Sequence, residues 1–254
     1  MRYIFILFVL LASVVSAQTK QKITLGFGPY VQSEPYKGAD NLLLPSPVIF
    51  YDNGVVYARW SRFGLYFLGE KQKDYAWGFS LTAQPRTLGY KASDSTYLHG
   101  MDERKSTFEG GLAFSASYQN SKYIEIMLLA DMLGTYNSWV SRVEIGDTYK
   151  AGKFTFYPSI ILLYQSQKFI EYYYGVKSTE VDTSIGRSQY SGNAISGGLE
   201  VGAQTYIKYP FTDKLSALIN VRYDKIPKSA KNSPLTDKNY IYSGLVSLIY
   251  TFEY

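Results

Sequence analysis

The sequence closes with the stretch YIYSGLVSLIYTFEY, residues 240–254, and this stretch decides the fold. Neighbouring side chains of a β-strand point to opposite faces of the sheet, so the stretch separates into two sets. One set is apolar and aromatic, whereas the other carries serine, threonine and glutamate among aliphatics. A soluble sandwich also alternates. The spaced aromatics Tyr250, Phe252 and Tyr254, however, are typical of the last strand of a bacterial outer-membrane barrel, where aromatic rings form an interfacial girdle.

The other end of the chain predicts export from the cytoplasm. Arg2 precedes the apolar run 3–11, and small residues at 15–17 offer a cleavage position. These features predict a signal peptide over residues 1–17 and a mature chain over residues 18–254. The alternative is an N-terminal membrane anchor, but the apolar run is shorter than the roughly 20 residues that a spanning helix needs.

The composition narrows the class of protein. The 254 residues include no cysteine and one histidine, which excludes a disulfide scaffold and any thiol chemistry. Aromatic residues make up 17% of the chain, yet the mean hydropathy is only -0.14, as expected when apolar and polar residues alternate. A formal charge of +5 is too mild for a nucleic-acid partner, and we predict no cofactor.

The mature chain divides into alternating segments of about ten residues that are bounded by turn residues. An even number of strands places both ends on the periplasmic side, and every long polar loop then falls on the outer side. Ten strands is the alternative, if the third and fourth segments merge. The twelve predicted segments are 22–31, 42–51, 55–60, 64–70, 75–86, 108–119, 122–133, 139–150, 154–170, 195–209, 215–224 and 240–254.

A closed barrel is the natural form for such a chain in a membrane. An open sheet edge facing lipid would leave backbone groups unpaired, each costing several kcal/mol. We therefore predict an all-β fold, a transmembrane antiparallel up-and-down β-barrel. A soluble periplasmic sandwich or a lipocalin-like barrel is the alternative that the pattern leaves open.

Several loop motifs carry a resemblance to a known family. Residues 36–40 (YKGAD), 172–176 (YYYGV) and 226–235, with SPL at the end of the last, occur in this order, and 42–51 (LLLPSPVIFY) has a distinctive proline spacing. Together they resemble the MipA/OmpV family of outer-membrane proteins over residues 22–254. The residues that match the loop motifs are Tyr36, Gly38, Tyr173, Tyr174, Gly175, Ser233 and Pro234.

The resemblance implies a location and a role. It implies a twelve-stranded barrel in the outer membrane of a Gram-negative bacterium, in contact with lipid and lipopolysaccharide. It also implies a scaffold that binds a lytic transglycosylase and a bifunctional penicillin-binding protein. The family brings no catalytic residues. The tyrosine-rich composition and the long loop 226–239 depart from the family pattern.

The interior of the barrel supplies the candidate site residues. If the aromatic face meets lipid, charged residues of both signs face the lumen, and mixed signs favour a bridging network over a selective pore. A small channel for solutes or antibiotics is the alternative function. The candidate lumen charges are Arg86, Glu109, Glu200, Lys208, Arg222 and Glu253.

The outer loops suggest further alternatives. The tyrosines at 172–174 offer a surface for adhesion, and loop cations offer contacts for lipopolysaccharide phosphates. The single His99 lies near Asp94, Asp102 and Glu103, as in a hydrolase site or a weak Ca²⁺ site. A solvated loop histidine is the ordinary case, and we predict that the protein is not an enzyme and holds no metal. The candidate loop cations are Lys37, Lys91, Arg104, Lys105, Lys228 and Lys231.

Overall fold

A computed structural model describes residues 21–119 and 121–254. The predicted signal peptide lies outside the described residues. The strand segments are β1 (Lys22–Gln32), β2 (Leu42–Asp52), β3 (Val56–Arg59), β4 (Arg62–Lys71), β5 (Tyr75–Arg86), β6 (Thr107–Tyr118), β7 (Lys122–Asp131), β8 (Trp139–Gly146), β9 (Tyr149–Ala151), β10 (Phe154–Gln165), β11 (Gly198–Pro210), β12 (Leu215–Lys225) and β13 (Tyr240–Glu253).

The strands form one closed antiparallel barrel. Each strand except β8 pairs with the next along the chain, and β1 pairs with β13. On one side β10 pairs with both β8 and β9, and on the other side it pairs with β11. Because β8 and β9 follow each other on the same side of β10, they form one interrupted strand. The barrel therefore has twelve strands, as the sequence predicts, and the region 55–71 contributes two of them.

The two faces of β13 show which side meets lipid. Val246 and Leu248 are 57% and 58% exposed on the outer surface, whereas Leu245 and Ile249 are 1% and 3% exposed on the inner side. The predicted assignment of the aromatic face to lipid is confirmed. No helix in the described part of the chain is long and apolar enough to cross a membrane.

Short turns and long loops lie at opposite ends of the barrel. The start of β1 lies beside the end of β13, because Lys22 is paired with Glu253. On the same side, glycines with positive φ, Gly54 at 81° and Gly152 at 58°, allow tight hairpins that other residues would strain. We take this side as periplasmic, and the long loops 33–41, 87–106, 166–197 and 226–239 as outer.

The predicted strand 154–170 is wrong at its end. β10 stops at Gln165, and the next residues form helix α1 (Gln167–Tyr174). Ser166 caps this helix, because its hydroxyl accepts a hydrogen bond from the Phe169 amide. The predicted strand segment 154–170 therefore continues as a helix beyond the barrel wall. A second short helix, α2 (Lys228–Lys231), lies in the last loop.

The β3–β4 hairpin is much shorter than its neighbours. β3 has only four residues, and the turn is made at Trp60, whose φ is +58°. β2 last pairs with β3 at Phe50, and β4 first pairs with β5 at Ala83. The outer part of β2 therefore extends well beyond the tip of this hairpin.

We expect close strand packing to make glycine necessary at Gly111. A methyl group there would run into the Leu128 carbonyl oxygen, whereas a methyl at Gly244 would lie 3.4 Å from the nearest backbone oxygen. Gly111→Ala should lower the free energy of unfolding by about 1–3 kcal/mol through overpacking. Gly244→Ala is the matched control and should change it by less than half as much. Urea unfolding of the refolded barrel in detergent measures both, and equal losses would contradict this packing.

Candidate functional site: a capped and bridged lumen

The outer loops fold over the barrel mouth and form a cap, which we define as residues 33–41, 87–106, 166–197 and 226–239. Its centre is helix α1. Phe169, Ile170 and Leu235 are fully buried there and pack with aliphatic residues from the upper barrel wall. The mouth is therefore closed by an apolar core rather than left open.

The loop residues that resemble the family come together in this cap. Tyr36 forms a β-bridge with Thr236, and its ring centroid lies 5.9 Å from that of Tyr174. The Ser233 hydroxyl donates to the Tyr174 carbonyl oxygen at 2.6 Å. Three motifs that are far apart in sequence thus meet at one buried point.

The other motif residues also hold the backbone of the cap. Gly38 has φ of 70°, and a methyl group on Gly175 would collide with the Glu171 carbonyl oxygen. Pro234 lies between Ser233 and Leu235, whose carbonyl accepts the Lys37 amide at 2.9 Å. These residues thus contribute to the backbone shape of the cap.

Two buried arginines join the second and third cap segments. The Arg104 guanidinium donates to both carboxylate oxygens of Glu180 at 2.8 and 2.9 Å, and to the Tyr172 carbonyl. Arg187 donates to the carbonyls of Glu180 and His99. Because a buried charge needs a partner, each contact holds its loop in place.

Below the cap, the upper lumen contains two ion pairs among the sequence-predicted charges. Arg86 donates to Glu109 through two nitrogens at 2.9 and 2.8 Å, and the Tyr136 hydroxyl donates to the same carboxylate. Arg222 binds Asp224 at 2.7 Å and lies 3.7 Å from Glu200. These candidates are satisfied by one another and by neighbouring polar groups.

The lower lumen is crossed by a larger network that sequence reasoning missed. Glu125 is 3% exposed and pairs with Arg59 at 2.9 Å, with Arg62, and with Arg142 at 3.7 Å. Arg142 also binds Glu144 at 2.6 Å. In the sheet, β3 and β7 are four strands apart, so the pair between Arg59 and Glu125 spans the interior.

Glu144 extends this network around the wall. Its carboxylate accepts hydrogen bonds from Tyr123 at 2.8 Å, Ser159 at 2.7 Å and Gln204 at 2.9 Å. The donors lie on β7, β10 and β11. We define the lumen network as Arg59, Arg62, Glu125, Arg142 and Glu144.

Two other predicted charges lie apart from these clusters. Glu253 pairs with Lys22 at the exposed periplasmic rim. Lys208 is half-buried on β11, with Thr155 and Leu218 opposite it in the neighbouring strands. The alternation of Arg142 and Glu144 with apolar residues was the signal that could have revealed the lower network.

The structure corrects two of the loop alternatives. Tyr173 and Tyr174 are 0% exposed, so their side chains form no adhesive surface. Arg104 is buried and paired, so it is no free cation for lipopolysaccharide. Lys37 is half-buried, with its amine 4.6 Å from the centroid of the Tyr97 ring. The lysines at 91, 105, 228 and 231 are exposed.

Two of the carboxylates that lie near His99 in sequence have other partners. The Asp102 carboxylate binds Lys177 at 2.7 Å, and this contact lowers the pKa of Asp102. The Asp94 carboxylate accepts the Lys91 amide instead. Within residues 21–119 and 121–254, no group of three or more histidine or carboxylate side chains could hold a metal ion.

A buried carboxyl group lies at the edge of the cap. Glu34 is almost fully buried, its Oε1 accepts the Gln32 amide at 3.4 Å, and its Oε2 has no hydrogen-bond partner among the described residues. Burial raises the pKa of Glu34 to about 7, an effect that the Gln32 hydrogen bond partly offsets. The hydroxyls of Tyr36, Tyr90 and Tyr174 are likewise buried without a partner there.

Comparisons with known proteins agree with this architecture. The family model described as MltA-interacting protein MipA matches residues 25–252. The chain belongs to this family. It is 31% identical over 240 residues to the MltA-interacting protein of Escherichia coli K12, covering 94% of this chain and 92% of the relative. The protein is an outer-membrane β-barrel.

Another relative and one solved structure are more distant. The putative outer membrane protein YiaT of Escherichia coli K12 is 25% identical over 242 residues, covering 94% of each chain. The outer membrane protein OmpT of Vibrio cholerae, in its loop-deleted form, superposes with a TM-score of 0.41 at 9% identity. It covers 92% of this chain and 99% of its own.

We expect the Arg104–Glu180 pair to hold the cap closed. Arg104→Met leaves a buried carboxylate without its partner, and breaking such a pair costs about 3–5 kcal/mol. The double variant Arg104→Met/Glu180→Met removes the unpaired charge and should recover much of that loss. Limited trypsin digestion of the refolded barrel measures opening of the cap. Lys105→Met, at an exposed neighbour, is the control, and equal protection of all variants would contradict this role.

We expect the stability of the protein to fall as the pH rises from about 4.5 to about 7. The folded pKa of Glu34, about 7, lies above its ordinary value of 4.5. The folded state therefore binds more protons, and stability is lost between about pH 4.5 and 7. Glu34→Gln should remove this loss, stabilising the protein at pH 8 by up to about 3 kcal/mol and hardly at pH 4. Urea midpoints measure it. Glu103→Gln, in an exposed loop position, should leave the slope unchanged.

Proposed function

We propose that this protein is a non-enzymatic scaffold that anchors a murein lytic transglycosylase at the inner surface of the outer membrane. Membership of the family and the name of the Escherichia coli relative support this role. The observation that carries it is the blocked interior, because a barrel closed by its own cap and charges needs a task other than transport.

The blocked interior weighs against the channel alternative. The cap fills the outer mouth with apolar side chains, and the lumen network below it joins β3 and β4 to β7 across the interior. A pore would need a continuous water-filled path through the barrel. Most of the lumen charges here are mutually paired, so they better serve stability than selectivity.

Two hairpins project from the periplasmic end and offer contact surface. The first is 67–76, where β4 continues on the periplasmic side beyond the first residue of β3 and exposes Phe67 and Leu68. The second is 147–156, where β9 and β10 extend on the periplasmic side beyond the start of β7 and expose Tyr149 and Phe154. Both combine exposed aromatic or aliphatic side chains with lysines.

A partner must use both hairpins or the whole rim. A specific interface usually buries about 800 Å² on each partner, and single turns of two or three residues cannot supply this. Aromatic side chains at the rim also serve as membrane girdle. We therefore assign the docking surface to the two projecting hairpins together. The penicillin-binding protein implied by the family resemblance would join through the transglycosylase or the remaining rim.

We expect a periplasmic lytic transglycosylase to copurify with this protein from detergent-solubilised envelopes. Reversing charges at both hairpin tips, with Lys71→Glu, Lys73→Glu, Lys150→Glu and Lys153→Glu, should reduce recovery of the enzyme at least tenfold. These side chains are exposed, so the barrel should keep its heat-modifiable gel mobility. The same reversals on the outer loops, Lys91→Glu and Lys105→Glu, form the control.

The outcomes separate the scaffold from its rivals. Loss with the periplasmic variant and retention with the outer one supports the proposal. Absence of any murein enzyme from the wild-type sample, after crosslinking in intact cells, would overturn it. A penicillin-binding protein in the same sample would extend the scaffold to the second partner.

A further inference from the structure

The barrel wall has a gap on its outer half, between β2 and β5. β2 continues outward over residues 42–48 beyond its last contact with the β3–β4 hairpin, and β5 continues over residues 84–86. Across the described ranges 21–119 and 121–254, no strand pairs with these segments on the sides that face each other. At about 3.3 Å per residue, the unpaired part of β2 is roughly 20 Å long. We name this gap the wall window.

Two prolines remove hydrogen-bond donors from the β2 edge of the window. In an antiparallel strand the N–H and C=O of one residue point to the same neighbour, and this direction alternates along the chain. The Ile49 carbonyl accepts the Trp60 amide, so odd-numbered residues of β2 turn their backbone toward the hairpin side. Pro45 and Pro47 are both odd-numbered, and both therefore remove a donor from the window edge.

The opposite edge has the same feature. The Tyr75 carbonyl accepts the Gln72 amide at 2.8 Å, so odd-numbered residues of β5 turn toward β4. Pro85 therefore faces the window as well. Edges that lack donors on both sides resist pairing with an added strand. This excludes a peptide strand as the natural occupant of the window.

The rim and interior of the window are apolar or aromatic. Leu43, on the lipid side, is 69% exposed, and Leu44, on the lumen side, is still 39% exposed. Trp60 folds inward from the hairpin tip, and its indole nitrogen donates to the Ser46 hydroxyl at 2.9 Å. Its ring centroid lies 5.5 Å from that of Tyr30. Leu43, Leu44 and Trp60 thus place apolar side chains on the lipid side, the lumen side and the inner end of the window.

The cap limits the window from above. The Thr87 hydroxyl, just after β5, donates to the Gln32 side-chain oxygen at the end of β1. The Tyr36 and Tyr90 rings, with centroids 4.6 Å apart, join the same two loops. The window therefore opens sideways into the membrane and not upward into water.

We propose that the wall window admits the acyl chain of an outer-leaflet lipid, which inserts between β2 and β5 and packs against Leu44 and Trp60. Three features of the window favour an acyl chain as its occupant. The window faces the hydrocarbon of the membrane, its edges lack the donors that an added strand would need, and its lining is apolar. Acyl chains need no hydrogen bonds from the proline-blunted edges. This site is independent of the periplasmic scaffold role.

Tryptophan quenching by brominated lipid tests the site. The chain has three tryptophans, so Trp77→Phe/Trp139→Phe leaves Trp60 alone and Trp60→Phe/Trp77→Phe leaves Trp139 alone. Trp139 is exposed on the outer surface and reports contact with bulk lipid. Each refolded full-length barrel is placed in vesicles of phosphatidylcholine with or without brominated acyl chains. We expect brominated chains to remove most of the emission of both tryptophans. Quenching of Trp139 alone would overturn the proposal.

A blocking experiment separates insertion from quenching through the wall. The chain has no cysteine, so Leu44→Cys can be modified alone with a charged thiol reagent. Modification should restore the Trp60 emission, because a charged group at the window excludes the acyl chain. The same modification at Leu128→Cys, on a fully paired strand, is the control and should restore nothing. Unchanged quenching after modification at position 44, in barrels that keep their heat-modifiable mobility, would also overturn it.

Discussion

The buried carboxylate of Glu125 is the group on which the closed interior depends. It lies inside a membrane-spanning barrel at 3% exposure, where an unpaired charge would be very unfavourable. Arg59, Arg62 and Arg142 supply the compensating positive charges. Arg142 also forms an ion pair with Glu144, which extends the network. Because Arg59 and Arg62 lie three to four strands away from Glu125 around the barrel, satisfying this one carboxylate ties separate parts of the wall together across the interior.

The cap closes the outer end of the barrel by a different interaction, the burial of apolar side chains. Helix α1 places Phe169, Ile170 and Tyr173 against the upper wall, so the mouth is filled by burial of apolar surface. Charged pairs then fix the loops from above, as Arg104 and Glu180 show. Apolar packing and ion pairing thus close the same lumen at two levels. The family motifs lie within this closure.

Strand alternation made the fold predictable. Each wall strand carries apolar residues at every second position, so most strand positions, the count of twelve and the lipid-facing side could be read from residues such as those of β13. Short turns at Gly54 and Gly152 fixed the orientation of the hairpins. The predicted location in the outer membrane is likewise confirmed by the family relatives.

The interior contacts could not be predicted in the same way. Arg59 and Glu125 are 66 positions apart and meet only because four strands of the sheet curve around the lumen. The polar-looking loop 166–197 contains buried tyrosines, since local composition does not reveal that a loop folds into a mouth. The β10 strand also ended early, because Ser166 begins a helix within a continuous apolar run.

Ion conductance of the refolded chain 18–254 in a planar bilayer tests the closed lumen most directly. Heat-modifiable mobility of the same sample establishes that the barrel is folded before it is added. The lumen network and the cap predict a silent barrel at moderate voltage, with no reproducible unit step. Discrete steps of constant size from the wild-type protein would contradict this account and would make the paired lumen charges the walls of a pore.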